Sequence, residues 1–228
     1  MSERLFIGLD PSASSSKSSG ISIINSVGKI IFLGKWFDVS ELANIVRGLP
    51  NIYPMVAIDG PLQPPHELKP CCFSAEDSPC SHQQTTLFKG RYCEQLLIKR
   101  GFRCFVTSKN SFVKNWVARC FQLKDYLLGL GLDSIEVFPH ASRKILLPEL
   151  QGSKQNLLFR KSLQRALTRI GVKFLDGSRI FSHDELDAVL AALTNLLYAY
   201  GRTEKLGDDR DGYIYLPKSG ITHLHDII

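Results

Sequence analysis

The sequence predicts an α/β fold, in which a mixed sheet of five or more strands carries helices on both faces. Three observations lead to this prediction. The first 36 residues contain three short apolar segments joined by turn residues, which is typical of a β-meander. An amphipathic segment and another short apolar run follow, which indicates a helix and a strand parallel to the first one. Helical and extended patterns then alternate along the rest of the chain, as expected of a helix-covered sheet.

The first half of the chain is predicted to form four strands and one helix. The strands cover residues 5–9, 20–25, 29–36 and 55–59. A serine-rich loop joins the first two strands, and a turn at Gly28 joins the next two. Asp38 or Ser40 can cap a helix that continues to Leu49, because apolar residues recur there with helical spacing.

The second half of the chain is predicted to alternate helices with strands. Helices are predicted over residues 92–100, 111–130, 153–170 and 182–200, and strands over residues 102–107, 134–138 and 213–216. The last strand is expected at an edge of the sheet. Within the second helix, Phe112 and Trp116 are in phase with Val117 and Cys120, which predicts core packing rather than a platform for nucleic-acid bases.

The composition is that of a single folded domain spanning residues 1–228. The chain has 44% hydrophobic residues, and no flexible linker divides it, although residues 63–90 form an insertion that contains cysteines. The amino terminus lacks a signal-peptide pattern, and no window approaches the roughly 18 apolar residues of a membrane span. We therefore expect a cytoplasmic protein that does not associate with membranes. The sequence does not indicate an oligomeric state.

Positive charge is concentrated in the middle of the chain. The net charge is +6, and residues 89–179 carry 18 Lys and Arg against 6 Asp and Glu. A basic segment of this kind favours a polyanionic partner such as DNA or RNA. The alternative is that these bases lie on ordinary solvated helix faces.

Five acidic residues stand near the points where predicted strands end or a helix begins. They are Asp10, Asp59, Glu136, Asp184 and Asp187. Because an ionised carboxylate beside a core strand is costly to desolvate, several such groups together call for a cation, and oxygen ligands favour Mg²⁺ or Mn²⁺. We therefore predict one shared site, in which Asp10, Asp59, Glu136 and Asp187 bind metal and all five acids serve catalysis.

Each of these acids also has a structural interpretation. Asp10 and Asp59 precede turn-forming residues and could initiate turns through their side chains. Glu136 alternates with apolar neighbours and could face solvent. The last predicted helix begins with a capping-box pattern, so Asp184 could be an acid that the helix dipole favours in the first turn. This interpretation explains Asp187 poorly, because Asp187 lies a turn further into an apolar stretch.

Five segments carry a resemblance to a known domain family. They are residues 7–12 (IGLDPS), 58–62 (IDGPL), 136–139 (EVFP), 183–188 (HDELDA) and 211–217 (DGYIYLP). The chain resembles a family of unknown function whose members are described as predicted nucleases with an RNase H-like fold. The resemblance implies that the first and fourth strands are parallel neighbours, so that Asp10 and Asp59 emerge at the same sheet edge. The spacing of Asp184 and Asp187 is also similar to that used by Holliday-junction resolvases of this superfamily.

The acids and the resemblance together predict a nuclease that hydrolyses phosphodiester bonds of DNA or RNA by a two-metal mechanism. Two ions about 4 Å apart, bridged by Asp10, would activate a water on one side of the phosphate and stabilise the departing oxygen on the other. Lys17, His140 and Arg143 are predicted to contact the scissile phosphate. For Lys17 and Arg143, the alternative is an exposed surface base.

Two other function classes remain open from the sequence. Phosphotransferases of the actin-like and sugar-kinase type also end their first strand in Asp, followed by a hydroxyl-rich phosphate loop that residues 10–20 resemble. Those enzymes need a second such domain, for which this chain has no room. The other alternative is a non-catalytic nucleic-acid-binding module. Five acids at the expected positions argue against it, because an inactive site gains nothing from desolvating them.

A second candidate site lies in the insertion and just after it. Cys71, Cys72, Cys80, His82 and Cys93 offer thiolate and imidazole ligands that could close a tetrahedral structural Zn²⁺ site. Their spacing is not that of a standard pair of cysteines two residues apart, and reduced thiols are the alternative interpretation. Nothing in the sequence predicts a disulfide framework.

Overall fold

A seven-stranded mixed sheet organises the fold. The computed structural model describes residues 4–14, 16–73, 80, 90–109 and 111–227. The strands within these residues are β1 Leu5–Asp10, β2 Ser19–Asn25, β3 Ile30–Trp36, β4 Ile52–Asp59, β5 Asp133–Val137, β6 Thr203–Asp208 and β7 Gly212–Pro217. Their spatial order is β3-β2-β1-β4-β5-β7-β6. The predicted α/β class with a mixed sheet is therefore confirmed.

The pairing of the strands follows the layout expected of an RNase H-like sheet. Strands β1, β2 and β3 form an antiparallel meander. Strand β4 then pairs parallel with β1, β5 with β4, and β7 with β5, while β6 and β7 are antiparallel. Because Leu9 of β1 lies opposite Ile58 of β4, these two parallel strands end side by side.

Helices cover both faces of the sheet. They are α1 Val39–Arg47, α2 Tyr92–Lys99, α3 Lys114–Gly129, α4 Pro139–Leu146, α5 Leu157–Arg169 and α6 His183–Ala199, with 3₁₀ turns at Pro70–Phe73 and Leu224–Asp226. Alternate residues of β1 point to opposite faces: Ile7 packs with α1 and α3, whereas Phe6 packs with α5 and α6. None of the described helices is long and apolar enough to cross a membrane.

Helix α6 lies directly against the sheet because two strand residues have no side chain. A Cβ atom on Gly8 of β1 would lie 2.0 Å from the backbone nitrogen of Ala192. One on Gly20 of β2 would lie 2.2 Å from the backbone oxygen of Asp184. Any larger residue at either position would force the helix away from the strands.

A buried amide fixes α6 to the two parallel strands. Asn195 is fully buried, and its side-chain nitrogen donates hydrogen bonds to the carbonyl oxygens of Ile7 (3.0 Å) and Met55 (2.7 Å). These acceptors belong to β1 and β4, whose register is irregular between Leu5 and Ile7. The helix therefore has a defined position relative to the strand ends that carry Asp10 and Asp59.

Residues 102–107 differ from the prediction, because they form no strand. Helix α2 accepts hydrogen bonds from the two ends of the segment instead. The N–H of Phe102 donates to the carbonyl of Leu97 (3.0 Å), and the N–H of Thr107 donates to the carboxylate of Glu94 (2.9 Å). Phe102 and Cys104 pack beside α2, so their alternation reflects contact with a helix rather than with a sheet.

Helix α4 and strand β6 are not predicted from the sequence. The helix has only eight residues, beginning at Pro139, which is too short a stretch for a clear apolar period. Strand β6 buries a single residue, Leu206, so it shows little alternation. Because β6 forms the edge of the sheet, β7 lies inside it, and the prediction that residues 213–216 form an edge strand is wrong.

Replacing Gly8 by Ala is expected to destabilise the fold, because the added methyl group would overlap helix backbone rather than a flexible side chain. Overpacking typically costs about 1–3 kcal/mol, and a backbone clash should reach at least the upper end. Gly129→Ala is the control, since nothing lies within 4 Å of a Cβ atom there. That variant should gain up to about 1 kcal/mol from helix propensity. Urea unfolding measures the stability of both variants, and equal free energies of unfolding for Gly8→Ala and Gly129→Ala would contradict the prediction.

Candidate functional site

Asp10 and Asp59 lie side by side at the carboxyl edge of the sheet. They are the last residues of β1 and β4, which are parallel neighbours. Both remain partly exposed. Within the described part of the chain, no donor hydrogen-bonds to either carboxylate, so neither side chain initiates a turn in the way that the structural interpretation expects.

Helix α6 brings two further carboxylates to this edge. Asp187 lies on the second turn and is 8% exposed. Asp184 lies on the first turn, with an oxygen 3.0 Å from Nε2 of His183. Ser182 and Glu185 form the capping box that the sequence pattern indicates, so the amino-terminal donors of the helix are capped without Asp184.

The carboxylates lie close enough to oppose one another's ionisation. Burial raises the pKa of Asp10 well above its ordinary value, and the charges of Asp59 and Asp187 raise it further. Burial, and then the charge of Asp187, raises the pKa of Asp59 to about 8. Asp59 therefore holds a proton at neutral pH, and a cation that binds at the cluster would have to displace it.

A lysine outside the predicted set completes the cluster. The Nζ atom of Lys154 lies 2.6 Å from Oδ2 of Asp187. Burial opposes the charge of Lys154, but Asp187, and then Asp10 and Asp59, outweigh it and raise its pKa. Lys154 in turn offsets part of the rise in the pKa values of Asp10 and Asp59, which stay above their ordinary range. No sequence signal distinguishes this lysine, which lies in a polar connection among many other bases and reaches the acids only through the fold.

Glu136 departs from its predicted role as a metal ligand. It is 6% exposed, so it does not face solvent either. Both of its oxygens are paired with the guanidinium of Arg91, with 2.7 Å between Nη1 and Oε2. The N–H of Leu62 also donates to Oε2 at 3.0 Å. With both oxygens bonded within the protein, Glu136 does not belong to the set of carboxylates available to a cation.

Arg91 is a second residue of this region that was not predicted from the sequence. It is 1% exposed and also pairs with Glu94, with 2.9 Å between Nε and Oε1. Burial opposes its charge, but Glu136, and then Glu94, outweigh it and raise the pKa of Arg91. Thr107 donates to Glu94 through both its backbone N–H and its hydroxyl. The spacing of Arg91 and Glu94 at a helix start is a signal that could have shown this local pair.

Arg143 is a buried structural residue rather than a phosphate contact or a surface base. It is 9% exposed, and its guanidinium donates to the carbonyl of Leu150 at 2.8 Å. The guanidinium carbon lies 5.2 Å from the ring centre of Phe159. Burial lowers its pKa, although Asp187 opposes that shift. Arg143 therefore holds the connection between α4 and α5, in which Lys154 lies.

His140 lies close enough to the acidic cluster for the charge of Asp187 to affect its pKa, and its contact with a phosphate stays a prediction. Burial, and then the charges of nearby bases, lowers its pKa, while Asp187 raises it. Its ring packs against Phe138, with 5.7 Å between the ring centres. Lys17 is exposed in the loop between β1 and β2. Its contact with a phosphate stays a prediction.

Helix α3 holds the two loops that follow the acidic strand ends. The Nε1 atom of Trp116 donates to the carbonyl of Pro11 at 3.0 Å. The same indole ring lies against Gly60, where an added Cβ atom would be 3.0 Å from it. Arg119 donates to the hydroxyl of Ser12 at 3.1 Å. The positions of the loops after Asp10 and Asp59 thus depend on one helix.

Phe112 is exposed, which contradicts its predicted place in the core. It is 85% exposed because α3 begins only at Lys114, so Phe112 lies outside the helical stripe. Its ring meets that of Phe105 edge-on, with 5.4 Å between the centres. Phe105 is 59% exposed and, together with Asp59 and Trp116, lines a cavity beside the acidic cluster.

The structure brings three of the five predicted zinc ligands together. The Sγ atoms of Cys71 and Cys72 lie 3.6 and 3.3 Å from that of Cys80. Cys93 is not part of this group, because it is fully buried where α2 packs on β6 and β7. His82 lies outside the described residues. No disulfide links the cysteines that the structure describes.

Comparison with known proteins identifies no relative of this chain. It matches no protein-family model, no curated protein and no solved structure. The resemblance to predicted nucleases therefore stays an expectation. The function has to be argued from the residues of the site itself.

Replacing Arg91 by Ala is expected to lower the free energy of unfolding by about 3–5 kcal/mol, because two buried carboxylates lose their partner. The loss in unfolding free energy should be smaller at lower pH, because Glu94 and Glu136 are then protonated and no longer need a positively charged partner. Arg100→Ala is the matched control. Arg100 pairs with Glu204 at the surface, where the side chains are 43% and 37% exposed. Its replacement should lower the free energy of unfolding by no more than about 1 kcal/mol. Denaturant unfolding at two pH values tests this, and similar losses in both variants would contradict it.

Proposed function

We propose that this chain is a metal-dependent nuclease that hydrolyses the phosphodiester bonds of nucleic acid. One observation carries the proposal. Asp10 and Asp59 end neighbouring parallel strands, and Asp187 with its partner Lys154 lies close enough to shift the pKa values of both, although the three carboxylates do not all come within 4.8 Å of one another in this structure. A carboxylate cluster of this kind is costly for a fold to maintain unless a cation binds to it.

The three carboxylates suit a hard divalent cation. Mg²⁺ and Mn²⁺ prefer carboxylate oxygens as ligands. The described residues donate no hydrogen bond to Asp10 or Asp59, so the oxygens of both are available. Asp187 would complete the set once Lys154 moves from its oxygen. When bound, Mg²⁺ or Mn²⁺ would supply an activated water and stabilise negative charge on the departing oxygen.

The neighbouring residues position the substrate and balance charge. Lys154 can exchange the carboxylate of Asp187 for a phosphate oxygen, because its ammonium is a compact charge on a flexible stem. His140, at the rim, is placed to contact the same phosphate. The Arg91–Glu136 pair supports the strand beside Asp59 and keeps one further acid neutralised within the protein.

Helix α5 provides an exposed basic row that suits a phosphate backbone. Lys161, Arg165 and Arg169 repeat every four residues and are exposed. Residues four apart lie on the same side of a helix. Helix α5 begins at Leu157, three residues after Lys154. Such a row favours a polyanion as the substrate.

The exposed rings of Phe105 and Phe112 favour nucleic acid with unpaired bases. Exposed aromatic side chains stack on unpaired bases, and each stacked base contributes about 1–3 kcal/mol. Phe105 lines the same cavity as Asp59, so a base stacked there would lie beside the proposed site of cleavage.

The serine loop after Asp10 does not favour the phosphotransferase alternative. The hydroxyl of Ser12 lies 2.7 and 2.8 Å from the carbonyl oxygens of Ser14 and Lys17. The hydroxyl oxygens of Ser14 and Ser16 lie 2.8 Å apart. These groups bond within the loop instead of facing outward as phosphate ligands, so we advance no second function.

Asp10→Asn should lower Mn²⁺-dependent cleavage of labelled oligonucleotides by at least about a hundredfold, which corresponds to about 2.7 kcal/mol of transition-state stabilisation. Asparagine keeps the shape of the side chain but removes the charge that attracts the cation. Folding should not suffer, because one of several crowded like charges is removed.

Asp125→Asn is the control for this measurement, since Asp125 is exposed on α3 and should retain full activity. Undiminished cleavage by Asp10→Asn, in protein free of contaminating nuclease, would refute the role of Asp10. Absence of cleavage by the unaltered protein on single-stranded, duplex and branched DNA and RNA would refute the proposed function.

Lys154→Ala should lower the melting temperature in EDTA and increase the stabilisation that Mn²⁺ provides. Without the ammonium, the charges of Asp10, Asp59 and Asp187 oppose folding more strongly. Saturating Mn²⁺ should restore stability, with a gain of about 2.7 kcal/mol at a hundredfold excess over Kd. Lys161→Ala, which alters an exposed base of α5, should behave like the unaltered protein in both conditions. Calorimetric melting that shows the same Mn²⁺ effect in all three proteins would contradict this prediction.

A further inference from the structure

We propose that Cys71, Cys72 and Cys80 form a structural Zn²⁺ site that is separate from the acidic cluster. Zinc binds thiolates at about 2.3 Å in tetrahedral geometry, which places two sulfurs on the same ion about 3.8 Å apart. Two of the sulfur–sulfur distances are 3.6 and 3.3 Å, and all three sulfurs lie within 4.8 Å of one another. A disulfide would require about 2.05 Å.

The three cysteines approach the proposed ion from two parts of the chain. Cys71 and Cys72 are neighbours on the 3₁₀ turn Pro70–Phe73. Cys72 is buried among apolar side chains of that turn and of α3, whereas Cys71 is exposed. One side of the site is therefore anchored in a packed cluster, and the other side is open. The fourth coordination position is left to water or a further donor.

The charges around the site are compatible with three thiolates. Three thiolates and one Zn²⁺ carry a net charge of about −1, as in other zinc sites with three cysteines. The ammonium of Lys109 donates to the carbonyl of Cys80 at 2.9 Å, which places a compensating positive charge next to the cluster.

A metal at this position would brace the loops of the acidic cluster indirectly. Cys72 and Phe73 pack against Val117 and Phe121 of α3. The neighbouring Trp116 on the same helix donates to the carbonyl of Pro11, directly after Asp10. A metal that fixes the 3₁₀ turn Pro70–Phe73 against α3 would therefore also stabilise the position of Trp116, which bonds to the loop after Asp10. The proposed role is structural, and it does not depend on whether the acids form a nuclease.

Metal analysis and cobalt substitution test the site in the full chain. Protein purified under reducing conditions should contain about one Zn²⁺ per chain. Replacing the zinc with Co²⁺ should produce the intense near-ultraviolet absorption of thiolate-to-cobalt charge transfer. Cys71→Ser should lose most of the bound metal without unfolding, because Cys71 is exposed. Cys104→Ser, outside the cluster, should keep it.

Chelation in the absence of Mg²⁺ and Mn²⁺ should lower the melting temperature of the unaltered protein by several degrees and leave that of Cys71→Ser nearly unchanged. Three results would overturn the proposal. They are reduced protein that contains no zinc and takes up none in calorimetric titration, a metal content that Cys71→Ser and Cys80→Ser both leave intact, and a Cys72–Cys80 disulfide in protein handled under reducing conditions.

Discussion

The acidic cluster depends on how closely helix α6 approaches the sheet. Strands β1 and β2 carry Gly8 and Gly20 at the positions where the backbone of α6 crosses them. A side chain at either position would displace the helix outward, and Asp187 would move with it. Asn195 restricts sliding along the strands, because its amide bonds to carbonyls of both β1 and β4. Three elements distant in sequence thus place carboxylates at one point of the sheet edge.

Neighbouring carboxylates in this region have two different environments. Glu136 and Glu94 are paired with a buried arginine, so their charges are balanced within the protein. Asp59 lies close enough to Glu136 for that charge to raise its pKa, and among the described residues no arginine pairs with it, although Lys154 offsets part of the shift. A fold selected for stability alone would gain from neutral residues at Asp10 and Asp59, since uncompensated buried charge is destabilising. The presence of ionisable residues at both positions is consistent with the proposed cation site, which would bind them in their deprotonated form.

Local patterns predicted the parts of the fold that local forces determine. The meander, the parallel return strand and the capping box of α6 follow from turn residues, apolar periodicity and a cap within a few positions. The ends of β1 and β4 located Asp10 and Asp59, and the resemblance to an RNase H-like fold supplied the expectation that these strands are parallel neighbours. The short helix α4 and the nearly unpatterned strand β6 offered no comparable signal.

Pairings between distant residues could not be predicted in this way. Arg91 meets Glu136 across 45 positions and Lys154 meets Asp187 across 33, and no local pattern links either pair. Helix ends caused a second kind of error, because a helix that begins a few residues late leaves Phe112 exposed. Cys93 similarly resembles a metal ligand by spacing, but its helix turns it into the core.

The basic middle of the chain is divided according to side-chain chemistry. Arg91, Arg119 and Arg143 use the planar guanidinium to hold carboxylates, hydroxyls and carbonyls in fixed geometry. They therefore contribute little of the charge that a polyanion would meet. Lys154 has the opposite property, because an ammonium on a flexible stem can change partners without a matching planar acceptor. In the proposed nuclease, a lysine would therefore suit the centre of the cluster, because the counter-ion of Asp187 would have to move when a cation and a phosphate bind.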